Sequence, residues 1–464
     1  MAWLDEVLRG TGMEELAVEF ALEGVGAETR ASALRKKAEF AIYALRAELL
    51  RHMLGSPGFE SFSMTLAGSD LLTDFCGCRT IAGIRWTSKS SLHRASLLFT
   101  DEQLRQFNEL LVQASGKREF CPQLGLDEPE ELSVCLVDST CLEANIHFPV
   151  DWVLLKDVAL TLLKAVKLIR REGLLNRMPE EPEALAREMN KLCIAMTHSR
   201  RKAGSKKTRK AVLRKMKKLL RRIGDHARRH RKLLDERFGE TLLSRTKTDR
   251  ILARMDEKLE LLPKVIRQAH ERIIGERQVK NEKKILSVHE PDIDVIVRGK
   301  AGAQTEFGNE LFLAENAGGL IVDYMLYGKG APSESEKMLE SLERQQALHA
   351  EAKLEVLVAD RGFDAGRSAS ELETRGIASH ICPKNPEALE KRLKEPEFRR
   401  WQTRRGATEA RVAIFKNHGG GRVWRAKGLK HRRLAVGWSA LAHNLTLIGR
   451  KVREQEIEAP PKAA

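Results

Sequence analysis

One short strand-like run stands alone in the first third of this 464-residue chain. Residues 132–140, LSVCLVDST, are apolar and β-prone up to their polar close. No second strand comes directly after it. CLEANIHFPVDW reads as an extended loop, and residues 152–284 then keep a long helical rhythm. Strand character resumes only after residue 285, in TEFGNELFLAEN and GLIVDYMLYGK, with Gly318 and Gly319 between them. SESEKMLESLERQQALHAEA is a helix with acids near its start, where the helix dipole favours them. LEVLVAD is a further strand and SHICPKN another. The remainder, from PEALEKRL onward, is helical apart from the glycine-rich loop HGGGRVW. This order predicts an α/β core, a mixed sheet flanked by helices, interrupted by a large helical insertion.

The charge is concentrated in that insertion. Of 81 lysines and arginines, 17 fall within residues 200–232, against one acid, Asp225. The rest of the chain carries 64 of each sign, so this one segment holds the whole net charge of +16. Such a stripe suits a polyanion, because each base near a phosphate releases a counterion. In AVLRKMKKLLRR the apolar positions Val212, Leu213, Met216, Leu219 and Leu220 share one face. The opposite face is left to bases, and Lys206, Lys207, Arg209, Lys210, Arg214, Lys215, Lys217 and Lys218 are the candidate DNA contacts. A solvated helix surface is the plainer reading of the same pattern.

Other features narrow the class. No apolar run is long enough to span a bilayer. The amino terminus, MAWLDEVLRG, lacks the layout of a secretory signal. The seven cysteines are scattered without C-x-x-C spacing, which argues against a zinc site or a disulfide framework and for a reducing cytoplasm. Residues 1–128 read as a helical domain, with Ser and Thr caps in WTSKSSLHRASLLF.

Three acids invite a chemical reading. Asp138 closes the first strand, Asp360 closes LEVLVAD, and Glu409 lies in the helix RRWQTRRGATEARVAIFK. Carboxylates at the ends of neighbouring strands can converge, and a helix across them can add a third. Crowded carboxylates repel, and hard divalent cations with oxygen preference, Mg²⁺ or Mn²⁺, relieve that repulsion. Singly, each aspartate is also ordinary turn chemistry. Arg405, Glu409 and Lys416, at spacings of 4 and 7, share one stripe of their helix within roughly 40°. A surface salt-bridge ladder would look the same. Asp323, Glu306, His289, His443 and Asn444 are further polar candidates, read as structural.

VDST, ADRGFD and RRGATEARVAIFK together resemble the DDE transposases of bacterial insertion sequences, with the ISNCY group as the nearest type. Arg405, Glu409 and Lys416 match the family's Y-(2)-R-(3)-E-(6)-K signature, whereas Gln402 replaces its tyrosine. The resemblance implies an RNase H-like catalytic domain over 129–150 and 285–450, a helical insertion over 151–284, and a flexible tail over 451–464. It implies that residues 1–128 recognise DNA ends or mediate dimerisation. Asp138, Asp360 and Glu409 would be the catalytic triad holding two Mg²⁺ or Mn²⁺ ions, and Arg405 and Lys416 would grip phosphates. The implied partners are double-stranded DNA, as terminal inverted repeats and target, and further copies of the chain in a synaptic complex. The implied setting is the bacterial cytoplasm, at the nucleoid. Two alternatives stay open: an RNase H-like nuclease or resolvase that does not join strands, and a basic DNA-binding protein without catalysis.

Overall fold

The computed structural model describes residues 1–26, 28–80, 83–199, 204–300, 303–348, 353–419 and 426–458. Two compact units emerge, one from residues 1–145 with 300–464 and one from 146–299. In chain order the main elements begin with α1 (Ala31–Met53), α2 (Asp101–Ser115) and β1 (Val134–Glu143). Four helices come next: α3 (Asp151–Arg171), α4 (Pro182–Ser199), α5 (Ser205–Arg237) and α6 (Arg245–Ala269). Then come β2 (Ala303–Asn316), β3 (Ile321–Leu326), α7 (Glu334–Leu348), β4 (Val356–Ala359), α8 (Gly366–Thr374) and β5 (Ala378–Ile381). The long helices α9 (Pro396–Gly419) and α10 (Leu429–Glu458) close the chain.

Five strands of the first unit lie in one sheet in the order β3-β2-β1-β4-β5. The pairs β3–β2 and β2–β1 are antiparallel, while β1–β4 and β4–β5 are parallel. Alternation along β1 sorts its side chains. Cys135 and Val137 join a core with Met338, Leu339 and Leu342 of α7 and Leu372 of α8. Val134 and Leu136 face Trp401 of α9, and Leu142 joins Val412 and Phe415 of α9 and Val436 and Ala440 of α10. The sheet therefore carries α7 and α8 on one face and α9 and α10 on the other.

Two expectations change. β1 does not stop at Asp138: it continues to Glu143 because residues 135–143 pair with β2, and Cys141 and Leu142 are buried. α10 continues to Glu458, past residue 451 where a tail was expected. Residues 420–425 of the expected glycine-rich loop, and 459–464 of that tail, lie outside the described residues.

The amino-terminal helices share their core with the last helix. Leu45 and Leu49 of α1 and Leu104 and Phe107 of α2 pack with Trp438, Leu441 and Leu445 of α10. Ser88 caps one helix as expected, whereas Thr87 of the same stretch is buried and the threonine cap is Thr100, which forms a capping box with Gln103 at α2. In the second unit α3 to α6 surround an apolar core that includes Leu155, Leu162, Leu213, Met216, Leu220 and Leu262. Among the described residues no helix is long and apolar enough to cross a membrane.

β1 and β2 pack tightly at Gly308. A side-chain carbon there would lie 2.0 Å from the Leu142 carbonyl oxygen and 3.0 Å from Cys141 Sγ. Backbone cannot yield as a side chain can, so Gly308→Ala is expected to destabilise the fold by about 2–3 kcal/mol. Urea denaturation checks this, and an unchanged midpoint would contradict it.

Candidate active site

Register brings two of the acids together. Val134 pairs with Val356 and Leu136 with Val358. Two residues past the last pair come Asp138, still within β1, and Asp360, one residue beyond the end of β4, and the Asp360 charge acts on the Asp138 carboxyl. Leu136 and Val358 share the α9 face, so the alternation along β1 points Asp138 toward α9 as well. That helix buries Trp401, Thr408, Val412 and Phe415. Gln402, Arg405, Glu409 and Lys416 run along the edge of this buried stripe.

Hydrogen bonds fix that edge to the sheet. Gln402 Nε2 donates to the carbonyl oxygens of Ala359 at 3.3 Å and His380 at 2.6 Å, closing the ends of β4 and β5. Arg405 Nε donates to Gln402 Oε1 at 3.3 Å, and Arg405 Nη1 reaches Glu409 Oε1 at 2.9 Å. Gln402, which departs from the tyrosine of the signature, thus ties α9 to the strand that ends in Asp360. On the helix's other flank, buried Glu315 accepts from Thr408 Oγ1 at 2.6 Å and Arg411 Nε at 2.8 Å. Arg404 adds a bond to the Ala317 carbonyl oxygen.

The electrostatics reflect this crowding. Burial pushes the Asp138 carboxyl up to about 6, and the charges of Asp360 and Glu409 push in the same direction. The Ser139 N–H, which donates to Asp138 Oδ1 at 2.8 Å, and the Arg405 guanidinium oppose the shift. Asp360 Oδ1 accepts from the Gly362 N–H at 2.7 Å, so the acid does close its turn. A side-chain carbon on Gly362 would sit 2.9 Å from that oxygen and 3.6 Å from Glu334 Cγ.

A raised carboxyl pKa has a definite sign in stability. Between the ordinary value of 3.8 and about 6 the folded state binds more protons than the unfolded one. Stability therefore falls as pH rises through that window, and the loss persists above it. In metal-free protein Asp138→Asn is expected to gain about 1–2 kcal/mol on wild type at pH ~7 and almost nothing at pH ~3.5. Thermal unfolding at the two pH values checks this, and an equal difference at both would contradict it.

Sequence reading missed Glu334. It begins α7, where an acid is explained by the helix dipole alone, yet it accepts from Ser139 Oγ at 2.6 Å, 195 residues away in the chain. Lys337, 1% exposed, lies 2.7 Å from Glu310 and 3.3 Å from Glu334. Burial raises the Glu334 carboxyl, as does the neighbouring Glu310. Three of the other polar candidates make structural contacts. Asp323 pairs with Arg344 at 2.8 Å, Asn444 bonds Asn108 and the Ile321 backbone, and His443 meets the Gly319 carbonyl at 3.1 Å.

The donors suit a hard divalent ion in kind: oxygens only, one of them resisting ionisation. Their present arrangement is open, with Glu409 held by Arg405 and Asp360 engaged with Gly362. Among the described residues no group of three or more His, Cys, Asp or Glu side chains could hold a metal ion as they stand.

The basic candidates from Lys206 to Lys218 all lie on α5, in the second unit. Lys206 and Lys210 close on Glu276 at 3.0 and 2.8 Å, Lys217 meets His270 Nδ1 at 2.9 Å, and Arg209 stacks over Trp152 at 5.3 Å. Lys207, Arg214, Lys215 and Lys218 are exposed. No family model, curated protein or solved structure matches the chain.

Proposed function

We propose that the chain is a DNA transposase whose α/β unit is an RNase H-like core. The observation that carries this reading is the parallel pairing of β1 with β4, which brings Asp138 and the residue just past β4, Asp360, together on the side of the sheet that α9 and Glu409 cover. An antiparallel meander continued by two parallel strands, with helices on both faces, supports it. Asp138, Asp360 and Glu409 would hold Mg²⁺ or Mn²⁺, two ions in the full site. When bound, these ions supply activation of the attacking oxygen and stabilisation of the leaving one in an in-line displacement.

The chain's own residues have separate tasks. Asp138, whose carboxyl burial pushes up to about 6, would give its oxygens to the ions. Glu409 turns from Arg405 toward the aspartates, which frees the guanidinium for a phosphate of the transposon end. Lys416, two turns along the same helix edge, meets the backbone further on. In the first step water attacks the phosphorus at the transposon end, and the displaced 3′-oxygen takes a proton to become a 3′-hydroxyl. In the second, that hydroxyl attacks a target phosphodiester, loses its proton, and releases a target 3′-hydroxyl.

The Arg405–Glu409 pair at 2.9 Å favours a second reading, in which a surface ladder decorates a DNA-binding protein without catalysis. Metal-dependent nicking decides between them. Duplexes carrying the two ends of the DNA segment that encodes the chain are expected to be cut in Mg²⁺ and left intact in EDTA. Tight binding without any cutting in either ion would sustain the second reading.

A further inference from the structure

The bases of α5 divide into two sets. Lys206 and Lys210 are neutralised by Glu276, Arg222 lies between Glu180 and Glu188, and Arg231 spans Asp235 and Asp256. Lys207, Arg214, Lys218 and Arg221 are exposed, and none makes an ion pair among the described residues. At 100° per residue these four fall within about 60° of one another and extend for ~21 Å along the helix.

Beside this row, α5 and α6 enclose an open groove of about 490 Å³. Its polar walls are Lys217, Arg221, Arg228, Arg267 and His270, over an apolar floor of Leu262 and Ile266. No acid lines it among the described residues. Asp225, the one acid of the basic segment, is taken by Arg228 at 2.7 Å. Among the described residues the Lys217 ammonium meets the His270 ring, at 2.9 Å, and no carboxylate. Burial and the charges of Arg221 and Arg214 hold that ammonium below its ordinary range. Uncompensated like charges around a cavity are unfavourable until an anion enters.

We infer that this groove seats phosphates of a DNA duplex, with Lys217, Arg221 and Arg267 as direct contacts and Lys207, Arg214 and Lys218 as the approach. A linear row fits a polymer better than a single anion, because several phosphates can be met at once. The inference rests on the nucleic-acid part of the proposed function and not on its chemistry.

Salt dependence of duplex binding by the full chain tests it. Lys217→Gln/Arg221→Gln/Arg267→Gln is expected to weaken binding at least tenfold near ~0.1 M salt and to flatten the log–log slope by roughly 2.7, about 0.9 per contact. Arg222→Gln, which removes a base already paired with Glu180 and Glu188, is expected to keep the wild-type slope. The exposed Arg267→Gln alone, should the triple variant misfold, is expected to flatten the slope by roughly 0.9. A wild-type slope in the folded triple variant, or equal flattening in the control, would overturn the inference. So would binding of inorganic phosphate at constant ionic strength that is lost in the triple variant while duplex binding is not. Asp138→Asn is expected to keep the full slope, so failure of the groove and failure of the catalytic reading are told apart.

Discussion

Asp138→Asn is expected to reduce both cleavage and strand joining by on the order of 10³-fold or more, about 4 kcal/mol in the barrier. Asp360→Asn and Glu409→Gln are expected to do the same. Each exchange keeps the shape of the side chain and removes one anionic oxygen. A divalent ion held by three carboxylates loses both charge and ligand strength on that change. The amide is compatible with the fold at each position. Asp138 sits where burial and two like charges already oppose ionisation. Glu409 is exposed at the helix edge. Binding of duplex DNA is therefore expected to survive in all three variants. Single-turnover cleavage of a labelled end duplex, beside a binding titration, checks both halves. Undiminished cleavage by any one purified variant would remove that residue from the triad.

Glu315→Ala is expected to lower the stability of the fold by about 3–5 kcal/mol, because it strands a cation against the sheet. Glu315 is 4% exposed and gathers Thr408 and Arg411 from α9, with Arg404 bonded nearby. Removing the carboxylate leaves the Arg411 guanidinium half-buried without its counter-charge. The same residue holds the flank of α9 opposite Gln402, so the row of Gln402, Arg405 and Glu409 loses one of its two anchors. Cleavage is expected to fall in parallel at temperatures where the variant is still folded. Urea denaturation measures the loss, and a change below about 1 kcal/mol would show that Gln402 and the apolar stripe alone dock the helix.

The sheet was legible where strands are short and bounded by turn residues. GLIVDYMLYGK and LEVLVAD each contain the strand their composition predicts, and SHICPKN holds the last three residues of another, Ala378–Ile381. The end of β1 was not legible. Its polar DST looks like a close, and only the pairing of β2 with residues 135–143 carries the strand on to Glu143. The local stripe of Arg405, Glu409 and Lys416 could be read because helical spacing is fixed by geometry. Glu334 could not, since its contact with Ser139 joins residues far apart in the chain. The same limit governs the basic segment. Counting charges locates it, yet only the folded unit shows that Glu276, 70 residues from Lys206, withdraws two of its bases.

Strand joining is the sharpest test of the proposed transposase. A recessed 3′-end duplex taken from either end of the encoding DNA segment is incubated with the full chain, Mg²⁺ and a supercoiled target plasmid. The expected product is plasmid covalently joined to the labelled 3′ end, absent in EDTA and absent with Asp138→Asn. Nicked plasmid without any joined label would contradict the proposal, leaving a nuclease in place of a transposase.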